Sequence, residues 1–557
     1  MKVVGIDIGT TKSCIGYEEA GDLKIIQNAL GDEIVPSIVS ITDKVVAGVD
    51  ALNYKTSNFD STISEVKRII GIDNLKKNCK FQNYIKHLSY ELIEEENKPL
   101  LIKTKEKEYT PELIYAYLIK KVKENARNNG VSFRKAIFTV PACFGITKRL
   151  LIKKAVELAG FKESNIQIIN GTSAAAIAYA IYNNKSSQNS IFDYNFNIFP
   201  SSNNNKSSED LDSSPISLNI NSKKAIVIFD LRGGCFDLTL LSIEEKDDFL
   251  EFNIKANLGD CNLGGIDFDN KLVDFCIKEF CNKTKINEDR IYMDKKAIKR
   301  LKIKCELAKK LLDIKEKVVI NVENFFENED LSVVISIVIY NSICEELYKR
   351  IKYKLNKLLK LANKENVNIN EVLSIGEASK IPRVKLILRD IFKKTKIVDN
   401  IDKDKMVTYG AIIYACEMKK IKLKKNIILN ELIPYSLGIS VANNDGRTFI
   451  KYGDKMYKII EQINVNSLPF SIKKQFNSKI TKNKILELNF YEGNNKYVKY
   501  NKKIGELKIE IEEAEVGSLI NYDITFELDV NLILKIKVEI PSLKITKDIE
   551  IKKSDTI

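Results

Sequence analysis

Two aspartates, each beside a turn of small residues, are the groups of this chain best suited to chemistry on a phosphate. Asp7 lies just before a Gly-Thr-Thr turn at residues 9–11, and Asp230 lies just before a Gly-Gly turn at residues 233–234. Glycines let backbone N–H groups approach an anion closely, and threonine hydroxyls add donors. Carboxylates in such places can face the water shell of Mg²⁺. The sequence therefore predicts a phosphate site made from two matching turns.

The second turn differs from the first at two positions. Arg232 stands where the first turn has Gly9, and Cys235 closes the second turn where a hydroxyl would be useful. The bulk of an arginine can block a phosphate and its charge can grip one, so both interpretations stay open. The sequence therefore supports binding of a phosphate more directly than chemistry on it.

Each turn joins two strand-like runs, so the chain contains the same hairpin twice. One copy is VVGIDIGTTKSCIGY from Val3, and the other is IVIFDLRGGCFDLTLLSI from Ile226. Both are rich in β-branched residues, as is typical of strands. Around each copy strand-like runs alternate with helical ones, among them residues 111–129 and 295–312. This alternation predicts an α/β fold with two lobes.

Composition divides the chain of 557 residues into several parts. We predict a two-lobed α/β domain over residues 1–424, in which the Asn- and Ser-rich segment 183–222 is a flexible surface insertion. A short apolar linker over residues 425–433 follows. Over residues 434–557 apolar and polar side chains alternate, as in half-buried antiparallel strands. We expect an all-β sandwich domain there.

Charge and composition argue against several classes of function. The net charge of +14 comes from lysines and glutamates interspersed along the chain, so we expect no direct contact with nucleic acid. With one histidine, His87, Cys-His zinc sites and histidine triads have few ligands, and the ten cysteines are typical of reduced thiols inside a cell. No apolar run reaches membrane-spanning length and no leader precedes the first strand. We therefore expect a cytoplasmic protein without membrane contact.

The order of short motifs resembles the heat-shock protein 70 family, DnaK-like chaperones included, over nearly the whole chain. GIDIGTT and FDLRGGCFD resemble the two phosphate motifs of that family. Seven further blocks follow the family's order: VKRIIG, VPACF, LGGIDFDN, CELAKK, IPRV, VTYGA and IPYSLGI. The resemblance implies a two-lobed, actin-like ATPase domain at residues 1–424 and a β-sandwich, substrate-binding-like domain at residues 434–557.

The resemblance also implies a site for ATP or ADP with Mg²⁺. Lys67 is implied to lie beside the γ-phosphate and to orient the attacking water. Asp7 and Asp230 are implied as the other catalytic groups and as metal ligands through water. The remaining residues of the implied site are Gly9, Thr10, Thr11, Lys12, Gly233, Gly234, Cys235, Glu306, Lys309, Lys310, Asp313, Gly376, Glu377, Lys380 and Asp404.

Other residues are implied to couple the two domains. Pro141 and Arg149 match the pair that relays the nucleotide state between lobes in the family. The apolar triplet at residues 427–429, followed by Glu431, resembles the linker that docks on the ATPase domain. An exposed apolar triplet needs such a partner surface. We therefore expect communication between the domains.

The sequence departs from the family pattern near the predicted chemistry. Gly171 stands where the family has a glutamate, which removes a carboxylate expected near the water shell of the metal. Glu377 replaces a glycine and Asp313 replaces a serine on the adenosine side. The loop at residues 443–446 is polar where the family clasps an apolar peptide. The sequence ends where the family adds a helical lid, so we expect a lidless form from which peptide escapes quickly.

Two functions remain open at the level of sequence. In one, the protein is an ATP-binding chaperone that assists folding with reduced hydrolysis, together with a J-domain co-chaperone, a nucleotide-exchange factor and unfolded or nascent polypeptide. In the other, ATP is a structural ligand, and the protein is a non-hydrolysing partner of a J-domain protein or of the ribosome. A sugar kinase or an actin-like filament protein is a third class, and the linker and the β domain argue against it.

Overall fold

The chain forms two compact units. The computed structural model describes residues 2–72, 75, 79–95, 98–184, 223–418, 426–441, 455–460, 468–549 and 551. The first unit comprises Met1–Cys143 and Lys154–Leu429, and the second comprises Phe144–Lys153 and Asn430–Ile557. The predicted insertion, from residue 185 on, and the polar loop at residues 443–446 lie outside the described residues.

The first hairpin belongs to a six-stranded sheet. The elements up to residue 184 are β1 (Lys2–Ile8), β2 (Lys12–Glu19), β3 (Asp22–Ile25), β4 (Val35–Pro36), β5 (Ile38–Ile41), β6 (Val45–Ala47), α1 (Val49–Leu52), β7 (Thr62–Ser64), α2 (Val66–Ile69), α3 (Cys79–Ile85), β8 (Glu91–Ile93), β9 (Leu101–Lys103), β10 (Glu108–Tyr109), α4 (Pro111–Asn128), β11 (Phe133–Val140), α5 (Ile146–Leu158), β12 (Ile166–Asn170) and α6 (Gly171–Asn184). The sheet has the order β12-β11-β1-β2-β3, and β4 pairs with β2. Strand β1 is antiparallel to β2 and parallel to β11.

The second hairpin lies in another six-stranded sheet, and five of its strands follow the order of the first sheet. The elements from residue 223 on are β13 (Lys223–Leu231), β14 (Phe236–Glu245), β15 (Phe249–Asp260), α7 (Gly265–Thr284), α8 (Glu288–Met293), α9 (Lys295–Leu311), β16 (Lys317–Phe326), β17 (Glu329–Ser336), α10 (Ile337–Ile343), α11 (Glu345–Lys364), β18 (Ile369–Ile375), α12 (Pro382–Ile391), β19 (Lys396–Val398), α13 (Met406–Met418) and β20 (Asn426–Asn430). The sheet runs β19-β18-β13-β14-β15-β20. As in the first sheet, the hairpin is antiparallel and its first strand has a parallel neighbour, β18.

The predicted helices form where the sequence places them. Helix α4 begins with Pro111 after the cap Thr110, whose side chain accepts a hydrogen bond from the backbone N–H of Leu113. Helix α9 begins after Asp294, whose carboxylate accepts from two backbone N–H groups of the first turn. None of the helices in the described part of the chain is both long enough and apolar enough to cross a membrane.

The apolar triplet of the linker is part of a strand. Strand β20 lies beside β15 at the end of the second sheet, and the backbone N–H of Asn426 donates to the carbonyl of Asp248 at 3.0 Å. Within the strand Ile427 is buried, whereas Ile428 is exposed. The backbone hydrogen bonds of the first unit's sheet thus extend to the segment predicted to dock on it.

The second unit is a β-sandwich, as predicted. Its strands are β21 (Leu437–Val441), β22 (Lys455–Ile460), β23 (Phe470–Lys479), β24 (Ile485–Glu492), β25 (Lys502–Glu510), β26 (Leu519–Leu528), β27 (Leu534–Ile540) and β28 (Ile545–Ile549). They form two antiparallel sheets, β22-β21-β24-β25 and β23-β26-β27-β28. Burial alternates along β26, and the rings of Phe490 and Phe526, one from each sheet, lie 6.0 Å apart in the shared core.

Helix α13 approaches its neighbours more closely than side chains normally permit. A Cβ atom at Gly410 would lie 1.7 Å from the carbonyl oxygen of Ala174 in α6. On another side of α13, a Cβ atom at Gly5 of β1 would lie 2.5 Å from the backbone nitrogen of Ile412. Glycine is therefore required at both contacts, because backbone atoms cannot rotate out of the way as a flexible side chain can.

We expect Gly410→Ala to destabilise the first unit by roughly 3 kcal/mol, because the added methyl group meets backbone. Gly171→Ala is the matched control: outside its chain neighbours and the backbone of its own helix, its Cβ would come no closer than 3.6 Å to another atom, so the cost should stay below about 0.5 kcal/mol. Calorimetric unfolding measures both. Equal stability of the two variants would contradict the close packing of α13 against α6.

Candidate functional site

The two predicted phosphate turns lie against each other. Each is closed by the same backbone bond: Gly9 donates to the carbonyl of Lys12 at 2.9 Å, and Arg232 donates to that of Cys235 at 3.0 Å. A Cβ atom on Gly234 would lie 2.2 Å from the hydroxyl oxygen of Thr10. The second turn therefore needs glycine in order to reach the first one.

Asp7, at the end of β1, is held by two side chains. Its Oδ1 accepts a hydrogen bond from the hydroxyl of Thr139 at 2.6 Å, and its Oδ2 accepts one from Nη1 of Arg232 at 2.5 Å. The residue is only 5% exposed. Burial alone would raise the pKa of Asp7, but the charges of Arg232 and Lys67 outweigh it and leave the pKa below the usual value. Asp7 is therefore an ionised carboxylate within an ionic network.

Arg232 bridges the two predicted catalytic aspartates. Besides its bond to Asp7, its Nε donates to Asp230 Oδ2 at 2.9 Å and to Asp230 Oδ1 at 3.0 Å. About a fifth of the side chain is exposed, 22%. The sequence left open whether this arginine blocks a phosphate or grips one. In the structure its guanidinium donates hydrogen bonds to two carboxylates of the chain itself.

The ionised form is less favoured at Asp230 than at Asp7. It is 3% exposed, and burial raises its pKa to about 6, against the opposing charge of Arg232 and with a further contribution from nearby Asp237. Asp237 accepts from the backbone N–H of Cys143 at 3.0 Å and from the thiol of Cys235 at 3.5 Å. Burial likewise raises the pKa of Asp237. Cys235 thus donates to a carboxylate, where the sequence suggested a lost hydroxyl.

Lys67 lies in the same small cavity as these carboxylates. It is in the short helix α2, and its ammonium group donates to the carbonyl of Ile8 at 2.6 Å. Burial lowers the pKa of Lys67, and the charge of Asp7 opposes this. The cavity of about 20 Å³ is lined by Lys67, Asp7, Gly9, Thr10, Pro141, Gly171, Asp230, Arg232 and Cys235, among others. The structure thus brings the predicted catalytic residues together.

Arg68 is a site residue that the sequence analysis missed. Its Nε donates to the carbonyl of Gly234 at 2.8 Å, and its two terminal nitrogens bond to both oxygens of Asp267 near the start of α7. It is thereby fixed against the second turn. Both residues belong to motifs noted in the sequence, but they are 199 positions apart, and local spacing carries no signal for that pair.

A larger cavity of about 370 Å³ begins at the first turn and holds most of the predicted adenosine-side residues. Apolar side chains, among them Ile34, Ile303 and Ile381, line it together with polar ones. The predicted residues that line it are Thr10, Thr11, Lys12, Glu306, Lys309, Lys310, Asp313 and Glu377. A neighbouring cavity of about 60 Å³ shares residues 10–12 with the larger one, and four more predicted residues line it: Gly9, Gly233, Gly376 and Asp404. The predicted site is therefore continuous along the first turn.

Ion pairs surround the larger cavity. Lys12 contacts Asp404 at 2.5 Å, and Lys380 contacts Glu377 at 2.7 Å. Burial raises the pKa of Glu377, but Lys380 and Lys12 lower it by more, so the pKa lies below its usual value. The charge that Glu377 adds at this turn is thus balanced by neighbouring lysines.

Further ion pairs lie along α9. Lys309 contacts Asp269 at 2.7 Å and Lys310 contacts Glu306 at 2.8 Å. Gly376 begins the turn that carries Glu377 with φ at 79°, and a Cβ atom on it would lie 2.3 Å from the carbonyl of Leu231. Glycine is required there both by conformation and by space.

The predicted coupling residues lie in different units. Pro141 is in the first unit, at the small cavity. Arg149 and Glu431 are in the second unit, where both are buried. The Nε of Arg149 donates to the carbonyl of Phe144 at 3.0 Å. Their role in coupling stays a prediction.

The residues around Asp7 and Asp230 do not fit a hydrated divalent cation. Oxygen ligands are present, but the guanidinium of Arg232 stands between them, and a cavity of about 20 Å³ holds roughly one water. Mg²⁺ usually keeps several waters when a protein binds it. Among the described residues, no group of three or more His, Cys, Asp or Glu is placed to hold a metal ion. Arg232 thus lies between the two carboxylates that the resemblance implies for the metal.

Asp230→Asn should change the pH dependence of stability. The folded-state pKa of about 6 lies above the usual value of 3.8, so the folded protein binds this proton more tightly, and stability falls as pH rises from about 4 to 6. Asparagine cannot ionise. The stability of the variant relative to the parent should therefore rise by roughly 2–3 kcal/mol between pH 4 and pH 7.

Calorimetric unfolding across this pH range tests the expectation. Asp247→Asn, at an exposed position of the same sheet region, is the control for the substitution itself and should change stability at pH 7 by less than about 0.5 kcal/mol. Parallel curves for the parent and for Asp230→Asn would show that Asp230 ionises as an ordinary aspartate.

One family model and three relatives of this chain are described in similar words. The family model described as "Hsp70 protein" matches residues 3–557. The heat shock 70 kDa protein of Neurospora crassa is 28% identical over 541 residues, which cover 96% of this chain and 75% of that protein. Heat shock 70 kDa protein 2 of Paracoccidioides lutzii is also 28% identical, with 96% and 74% covered. The heat shock 70 kDa protein of Emericella nidulans is 28% identical as well, with 96% of this chain and 75% of that protein covered.

Proposed function

Because the chain belongs to the Hsp70 family of ATP-binding chaperones, we propose that it binds ATP or ADP at the two turns and hydrolyses ATP slowly or not at all. One observation carries this proposal: Arg232 is bonded to both Asp7 and Asp230. Carboxylates held by a guanidinium are poorly placed to orient an attacking water or to accept its proton. Binding and hydrolysis are therefore separate questions for this chain.

The larger cavity supports nucleotide binding. Its volume of about 370 Å³ lies within the range typical of small-molecule sites, and its lining combines apolar side chains with a few polar groups. At one end lie Thr10 and Thr11, whose turn offers backbone and hydroxyl donors to phosphate oxygens. A nucleoside in the cavity would therefore direct its phosphates towards the first turn.

The residues at the phosphate end suit charge stabilisation more than proton transfer. Lys67 is buried, and its bond to the carbonyl of Ile8 fixes its ammonium group. A fixed cation stabilises negative charge that develops on a transferred phosphoryl group. Both oxygens of Asp7 already accept hydrogen bonds, as do both oxygens of Asp230. This pattern supports retention of nucleotide with reduced turnover.

We assign the chaperone function to the two domains as the family uses them. Residues 434–557 would bind unfolded or nascent polypeptide, and residues 1–424 would bind nucleotide, joined by the linker at residues 425–433. A J-domain co-chaperone and a nucleotide-exchange factor are the proposed partners, and the cytoplasm is the proposed location. The β-sandwich of the second unit and strand β20 support this arrangement.

The Arg232 bridge also favours a second candidate function. If hydrolysis is absent, ATP acts as a structural ligand that stabilises one conformation by mass action. The protein would then be a constant partner of a J-domain protein, with the ribosome as a further candidate site. Single-turnover hydrolysis separates this candidate from the first.

We expect ATP to stabilise the parent protein by about 2.7 kcal/mol at a concentration 100 times the dissociation constant, with very slow single-turnover hydrolysis. The triple variant Gly171→Glu, Arg232→Gly and Cys235→Thr should hydrolyse ATP at least about tenfold faster, because it frees the two carboxylates and adds a third. Calorimetry and rapid-quench assays measure the two quantities.

The same triple variant with Lys67→Ala is the control and should return to the slow rate, since the fixed cation is then lost. Fast hydrolysis by the parent protein would refute the proposed block. A triple variant that binds ATP without any gain in rate would show that these three positions do not limit the chemistry.

A further inference from the structure

We propose that the guanidinium of Arg232 is a built-in cation that takes the place of a divalent metal, so that nucleotide binding by this chain does not require Mg²⁺. The proposal rests on the nucleotide binding proposed above. It follows from the disagreement between the implied metal site and the residues that are present. Three observations support it: the occupancy of the carboxylate oxygens, the charge of the site and the space around Gly171.

The four carboxylate oxygens are already engaged. Oδ1 of Asp7 accepts from Thr139, and Oδ2 of Asp7 and both oxygens of Asp230 accept from Arg232 at 2.5–3.0 Å. A metal ion or its water shell would have to displace the guanidinium to reach them. That displacement has a cost, because the partly buried guanidinium would lose both of its carboxylate partners.

Arg232 brings positive charge to the two aspartates without a metal. Two aspartates that are 5% and 3% exposed need a nearby cation in order to stay ionised. Arg232 provides one that remains protonated at any physiological pH. Relative to the family motifs, Gly171 removes one negative charge and Arg232 adds one positive charge. Together they change the site by +2, the charge of one divalent cation.

The space around Gly171 is consistent with an arginine in place of a metal ion. A Cβ atom there would lie 3.9 Å from Nη2 of Arg232, after Cγ1 of Val407 at 3.6 Å and the carbonyl oxygen of Val140 at 3.7 Å. Gly171 and Arg232 line the same cavity as Lys67. Within the described part of the chain, Nη2 makes no hydrogen bond, so this edge of the guanidinium keeps donors for a phosphate oxygen. The arginine can thus serve the carboxylates on one side and an anion on the other.

The test measures binding of a fluorescent ADP analogue to the full chain, in excess EDTA and in millimolar Mg²⁺. For the parent protein we expect dissociation constants that agree within about twofold. Arg232→Gly should restore metal dependence, with Mg²⁺ tightening binding at least about tenfold. Arg350→Ala is the matched control, because Arg350 pairs with Asp260 outside this site, and it should behave as the parent does.

A second readout needs no nucleotide. Mg²⁺ alone should leave the thermal midpoint of the parent protein unchanged and should raise that of Arg232→Gly, in which two buried aspartates have lost their cation. Arg232→Lys serves if the glycine variant does not fold: a point charge cannot hold both carboxylates, so partial metal dependence is expected.

The outcomes are distinct. Parent protein that binds the analogue in Mg²⁺ but not in EDTA overturns metal independence and leaves the proposed nucleotide binding intact. Binding in neither condition overturns both proposals. If Arg232→Gly also binds equally well with and without Mg²⁺, Arg232 is not the compensating cation.

Discussion

A guanidinium shared by two buried carboxylates is the interaction on which the site of this protein depends. Asp7 belongs to the first sheet and Asp230 to the second, and Arg232 is bonded to both. Without a cation between them, burial and mutual repulsion would both disfavour the ionised carboxylates. This one side chain therefore affects the charge state of both aspartates, bonds one sheet to the other and reduces the space left at the phosphate end.

The repeated architecture explains why a change in one turn has this effect. Both sheets have the same strand order, and both turns are closed by the same backbone hydrogen bond. A side chain at position 232 therefore starts from the place that corresponds to Gly9 and extends towards the other copy. The two turns still lie in contact, because Gly233 and Gly234 are retained. The second turn can therefore differ in chemistry while the fold is preserved.

Local patterns predicted the fold well. Periodicity and capping residues gave helices α4 and α9, and alternation gave the β-sandwich, because these signals depend on neighbours within a few positions. The ordered motifs gave the family and a set of site residues that the structure gathers around adjoining cavities. The direction of the Arg232 side chain and the pairing of Arg68 with Asp267 depend on distant partners, for which one sequence carries no signal.

Strand β20 has a consequence for the solubility of the molecule. Strand β15 spans 12 residues, and residues 426–430 lie beside it on the side away from β14. An uncovered strand edge offers rows of N–H and C=O groups to any other chain and favours self-association. Residues 426–430 therefore cover part of this edge, and their departure would expose it together with the apolar side chain of Ile427.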